Sequence, residues 1–150
     1  MSLQKENKEL HKLISINKDA CDFYNSACEQ VEDPQLKNTF RNLESVHNGV
    51  VIDLQQCIRQ NEGNPEAEET LVGQAALFWG QLMARISNDV DETLVTHLEE
   101  AEDRCLHSVE DALRDGNIRP ETKTVLQNEL QALQKNHDYM KTLKDFMKAA

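Results

Sequence analysis

Apolar residues recur along this chain at alternating steps of three and four. Phe40, Leu43, His47, Val50, Leu54 and Cys57 form one such run, and Leu126, Leu130, Leu133, His137 and Met140 form another. Side chains spaced in this way share one face of an α-helix. Leu13, Ile16, Ala20, Tyr24 and Ala27 repeat the pattern near the start of the chain, and Leu98, Glu102, Cys105 and Leu106 carry it later. Helix signals divide these runs. Asp33-Pro34 is an N-cap followed by proline at the first helical position. Gly63-Asn64-Pro65 ends a helix, Ser87-Asn88-Asp89 breaks and recaps the chain, and Gly116-Asn117 followed by Arg119-Pro120 ends one helix and starts another. The pattern predicts helices over about residues 3–31, 34–62, 69–86, 89–115 and 120–148.

Four of these helices are long, and the one at 69–86 is short. Tight turns near residues 32 and 117 make two antiparallel hairpins. The segment 63–88 then carries the chain from the second long helix to the next, which a plain up-and-down bundle would not need. The expected fold is therefore an all-α, ferritin-like four-helix bundle, a single domain over 1–150, with two antiparallel pairs joined by a crossover that holds a short fifth helix. That helix has its own stripe of Ala75, Trp79, Leu82 and Ile86, with Phe78 and Met83 beside it. Trp79 is expected to pack over the side of the bundle; a homodimer interface is the competing role for the aromatic pair.

Composition agrees with helix throughout: five Gly and three Pro stand in 150 residues. The formal net charge of −11 argues against nucleic acid and anionic lipid as partners, since neither phosphate contacts nor a polybasic patch are available. No apolar run approaches the roughly 20 residues that span a bilayer. The N-terminal Met-Ser-Leu-Gln-Lys-Glu-Asn-Lys leads into charged helix without an apolar leader, so a cytoplasmic location is expected. Cys21, Cys28, Cys57 and Cys105 form no C-x-x-C pair and read as small buried hydrophobes in a reducing compartment.

The two histidines in the stripes carry the chemical question. An imidazole in an apolar stripe needs a hydrogen-bond partner or a metal ion. Dinuclear carboxylate sites in bundles take a carboxylate from each of two helices and a Glu-x-x-His step from each of the others. Glu44-Ser-Val-His47 is such a step. Reflection through the turn near residue 32 places Asp19 opposite Glu44, with Asp22 a lesser substitute. Glu102 lies one turn after Leu98 and faces about residue 132, a little over a turn from His137. Asp19, Glu44, His47, Glu102 and His137 are thus the candidate ligands for iron or manganese. The set is incomplete, because the second step reads Gln134-Lys-Asn-His137. Three carboxylates against the four charges of two divalent ions support one ion more readily than two. Set against this, a lone histidine in a helical stripe is most often a satisfied core residue, and the acidic run Glu99-Glu-Ala-Glu102-Asp103 reads equally well as a solvated face. His11, His97 and His107 lie off the central stripes. Tyr24, about a turn from Asp19, is a packing residue or a redox neighbour of a metal. Neither an activated nucleophile nor a glycine-rich phosphate loop is present.

Across most of its length the chain resembles a bacterial family of uncharacterised ferritin-like four-helix-bundle proteins, a domain of unknown function related in fold to rubrerythrin and ferritin. The resemblance is carried by Leu10-His-Lys-Leu-Ile14, Asp19, Tyr24, Asp33-Pro34 with Leu36 and Phe40, Asp53-Leu54 and Trp79. Glu99-Glu-Ala-Glu102-Asp103 with Ala112-Leu113, and His137-Asp138, complete it. It implies the fold and leaves the activity open. It also implies that the position of His47 is commonly basic, and that Glu102 and His137 match the family's residue types. Two functions follow as expectations. One is a non-enzymatic structural or protein-interaction module, stress-related in setting, with an unidentified protein partner. The other is an iron- or manganese-binding protein with ferroxidase- or peroxidase-like activity.

Overall fold

The computed structural model describes residues 2–66 and 89–149. Among them are four helices: α1 (Leu3–Gln30), α2 (Pro34–Gln60), α3 (Val90–Leu113) and α4 (Pro120–Ala149). The short helix expected at 69–86, with Trp79, lies outside the described residues.

The turns follow local chemistry. The Asp33 side chain accepts from the Gln35 backbone N–H at 2.9 Å, and Pro34 opens α2. Asp89 caps α3 by accepting from Glu92 N–H at 3.0 Å. At the end of α2 the sequence points to Gly63, but the left-handed residue is Glu62, at φ 60°. Glu62 N–H bonds to the Arg59 carbonyl and Gly63 N–H to the Ile58 carbonyl, both at 2.9 Å, which is a Schellman closure. Glycine follows for a different reason: a Cβ there would lie 2.5 Å from Asn7 Nδ2 and 2.9 Å from Ile58 Cγ2.

Side-chain contacts fix the helix directions. The Cys21 thiol reaches the Glu44 carbonyl at 3.8 Å and the Cys28 thiol reaches the Lys37 carbonyl at 3.6 Å, so α1 and α2 are antiparallel. Cys105 meets Ile16 at 3.8 Å and His97 meets Phe23 at 4.9 Å between ring centroids, so α1 and α3 are antiparallel too. Lys144 to Glu99 at 3.4 Å and His137 to Asp103 at 3.3 Å show the same for α3 and α4. It follows that α2 and α3 run parallel. Glu66 and Asp89 therefore stand at opposite ends of the bundle.

The core falls into two parts. One, toward the end where α1 begins, is built on Leu10, Leu13, Leu54, Ile58, Val109, Leu126 and Leu133. The other, toward the far end, is built on Phe23, Tyr24, Phe40, Leu94, Leu98 and Met140. The buried stripe of α4 is Thr122, Leu126, Glu129, Leu133, Asn136 and Met140. Leu130 and His137 are only partly buried. The expected stripe through those two residues is thus off by a small rotation of the helix about its axis.

A second polar cluster closes one end of the bundle. The Glu6 carboxylate is fully buried. It accepts from the Arg119 backbone N–H at 2.7 Å, from Asn61 Nδ2 at 2.5 Å and from the Arg119 guanidinium at 3.3 Å. The same guanidinium donates to the Asn61 side-chain oxygen. Burial pushes the Glu6 carboxyl pKa up, but the bonds from Arg119, Asn61 and Thr122 outweigh it and hold the group below the ordinary carboxylate value.

Candidate functional site

One polar side chain from each described helix meets in the gap between the two core halves: Asn17 from α1, His47 from α2, Glu102 from α3 and Asn136 from α4. All four are buried. Asn17 Nδ2 donates to the Leu13 carbonyl at 2.8 Å, which turns its Oδ1 toward His47 Nδ1, also at 2.8 Å. An oxygen facing that nitrogen requires the proton on Nδ1. The other ring nitrogen, Nε2, is bonded to Glu102 Oε1. With Nδ1 already protonated, Nε2 and a carboxylate oxygen would meet lone pair to lone pair unless a positive charge lay between them. A shared proton supplies it, and the pair as a whole is then neutral. Asn136 Nδ2 donates to the Leu43 carbonyl at 3.1 Å and to Glu102 Oε1 at 3.4 Å. The layer thus ties α1 to α2, α2 to α3, and α4 to both α2 and α3.

Tyr24 stands beside the layer. The Tyr24 ring stacks on His47 at 5.9 Å between centroids. Its buried hydroxyl interacts with the Glu102 carboxylate by hydrogen bond and charge. Burial first, and the Glu102 charge second, hold the Tyr24 phenol well above its ordinary pKa.

The five sequence-derived ligands divide accordingly. His47 and Glu102 are brought together. Asp19, Glu44 and His137 are partly exposed, and among the described residues none of them bonds to either. At Asp19, burial and then the neighbouring Asp22 raise the carboxyl pKa. Glu44 meets Cys21 through its backbone carbonyl. His137 lies outside the core among acids, with Nε2 3.3 Å from Asp103 and 3.8 Å from Glu99, and Nδ1 3.3 Å from Asp138. The physical reason is the rotation of α4, which turns Asn136 inward and His137 outward. Asn17 and Asn136 escaped the sequence reading because amides are common on solvated faces. A signal for Asn17 existed: reflection of His47 through the turn near residue 32 lands on residue 17. Among the described residues, no group of three or more His, Cys, Asp or Glu side chains is placed to hold a metal ion.

Other titratable groups are accounted for by burial. The four cysteines are free and buried, as expected from the sequence. Burial first, then the nearby carboxylates Glu44, Asp22 and Glu102, pushes the Cys21 thiol up to about 12, and burial and Glu102 push Cys105 well above its usual value, so neither is a reactive thiol. His97, expected off the stripe, is buried edge-on against Phe23, and burial followed by Arg104 lowers it to about 4.

Glu129 is 7% exposed and faces Asp53 across α2 and α4. Burial, then the hydrogen bond and charge of Asp53, raises its pKa from 4.5 to about 8. A carboxyl raised on folding contributes fully below its unfolded value, and that contribution is lost as pH rises through the folded value. Between about pH 4.5 and 8, Glu129→Gln should therefore gain on the wild type by about 1.4 kcal/mol per pH unit. Urea unfolding of both chains across this range measures the difference; parallel pH profiles would refute the assignment.

The described helices and their buried polar layer define a four-helix bundle closed around an internal hydrogen-bond network. The chain belongs to the family described as Domain of unknown function (DUF2383), whose model matches residues 5–115. No curated protein matches the chain.

Proposed function

We propose that the chain is a non-enzymatic helical module of ferritin-like topology that acts by binding another protein. The observation that carries this reading is the closure of the central layer: both His47 ring nitrogens and one Glu102 oxygen are engaged by the helices themselves. The surface groove supports it. A groove of about 210 Å³ between α1 and α3 is lined by Glu9, Lys12, Leu13, Ser108, Asp111, Ala112 and Asp115. The Ser108 hydroxyl there donates to the Arg104 carbonyl of its own helix at 2.7 Å and not to a carboxylate of the lining. The net charge of −11 suits a partner with a basic surface, and the free buried thiols suit the reducing cytoplasm. Among the described residues no helix is long and apolar enough to cross a membrane.

The test is metal dependence. Chain stripped with EDTA should keep its helical circular dichroism, unfold cooperatively at the melting temperature of untreated chain, and leave Fe(II) oxidation at the rate of buffer alone. Collapse on chelation, or accelerated Fe(II) oxidation, would overturn this reading.

A second reading, iron or manganese binding with ferroxidase- or peroxidase-like activity, is favoured by one observation. The His47 imidazole, the Glu102 carboxylate and the Tyr24 phenol are buried together, three side chains of metal-ligating type.

A further inference from the structure

We infer that the C-terminal half of α4 carries a self-pairing surface: two copies of the chain associate through Tyr139, Leu143 and Phe146, with their α4 helices antiparallel across a two-fold axis beside Leu143. This goes beyond the binding reading above by naming a surface and its occupant, and it does not depend on the metal question.

The core stripe of α4 runs through Leu133, Asn136 and Met140. Tyr139, Leu143 and Phe146 follow one another at steps of four and three, so they form a second stripe, roughly 100° around the helix from the first. Leu143 is half-buried against the far core, whereas Tyr139 is 50% and Phe146 71% exposed. A single exposed apolar residue is ordinary, but two aromatics two turns apart with a leucine between them make the seam of a helix pair. The sequence repeats along this seam: Asp138-Tyr139-Met140-Lys141 recurs seven residues later as Asp145-Phe146-Met147-Lys148. Seven residues are close to two turns, so acid, aromatic and lysine each return to the same side. The family match ends at residue 115, so this stripe lies outside the region it covers.

The occupant follows from charge. Between Gln134 and Ala149 four lysines stand against two aspartates, a net +2 on a chain of net −11, so two acidic copies approach here with little repulsion. Antiparallel pairing sets Tyr139 against Phe146 of the partner subunit, Asp138 against Lys148 of the partner subunit and Asp145 against Lys141 of the partner subunit, each twice by symmetry. Parallel pairing would set aspartate on aspartate and lysine on lysine. Exposed ion pairs contribute little energy, but they choose the orientation. One helix pair buries well under the roughly 1,600 Å² of a standard interface, so the dimer is weak and reversible, with a Kd of micromolar order or above.

Sedimentation velocity of the full chain from about 5 to 500 µM should show a monomer–dimer equilibrium. Phe146→Lys and Tyr139→Ser replace exposed side chains, so both variants should keep the melting temperature while association weakens about tenfold or more. Asp145→Lys or Lys141→Glu alone should weaken it by a smaller factor, and the double variant, which exchanges the two charges on every copy, should recover it. A chain that stays monomeric throughout would overturn the inference, and cosedimentation of that monomer with phosphatidylglycerol vesicles would assign the stripe to a lipid surface instead. A dimer indifferent to Phe146→Lys would overturn the face, and species that grow beyond the dimer with concentration would overturn the two-fold arrangement.

Discussion

Replacing His47 with leucine is expected to lower stability by about 3–5 kcal/mol, and replacing Glu102 with leucine as well should return most of that loss. The single change strands two buried groups. Glu102 Oε1 loses its shared proton, and Asn17 Oδ1 loses its donor while its amide stays bonded to Leu13. A carboxylate left uncompensated in a bundle core is among the most destabilising results a single substitution produces. The double change removes the charge together with its partner and fills the gap with apolar volume, which buried ion pairs commonly tolerate. Denaturant unfolding of both singles and the double forms a mutant cycle, and coupling of several kcal/mol is expected. Additive effects would mean that the two residues do not form a unit. For the module reading the cycle has a further use. A double variant that is stable but loses its single well-defined fold would show that the polar layer sets the alignment of the helices and contributes little net stability.

Glu6→Ala should cost about 3 kcal/mol, through the end of the bundle and not its middle. Its carboxylate joins the first turn of α1 to the closure of α2 at Asn61 and to the first residues before α4 at Arg119. Truncation leaves the Arg119 backbone N–H and the Asn61 amide without their acceptor. At this chain length the loss corresponds to a melting temperature lower by roughly 10 °C. The effect carries a pH signature. Because folding lowers the Glu6 pKa, its contribution is present above the unfolded value near 4.5 and is lost as pH falls through the folded value. Wild type and Glu6→Ala should therefore converge in stability toward acid pH. A constant difference down to about pH 2 would show that the carboxylate charge is not what holds the end together.

These two predictions concern residues of very different legibility. His47 stood out because an imidazole interrupts an apolar run, and Glu102 because an acid follows Leu98 by one turn and precedes Cys105; both proved to be core positions. Glu6 sits in the polar opening segment and resembles any solvated acid. Its burial depends on Asn61 and Arg119, 55 and 113 residues away. Asn136 was concealed by a closer ambiguity. The series 126-130-133-137-140 and 126-129-133-136-140 have the same helical period and share three members. Chemical prominence favoured the histidine, while packing of α4 against α2 and α3 chose the asparagine.

What the sequence determined by itself are the properties that act over a few residues. Caps, prolines and the period of apolar positions define four long helices and place their ends, since backbone hydrogen bonds and hydrophobic spacing are local. It also placed His47 and Glu102 among five candidate groups, without pairing them. The rotation of each helix about its axis was left to tertiary packing, because period alone gives the inward face only to within one residue. That choice brought Asn17 and Asn136 to the layer, turned His137 to the acidic surface and left Tyr24 beside Glu102. The chemistry of the centre is therefore a property of how the helices meet.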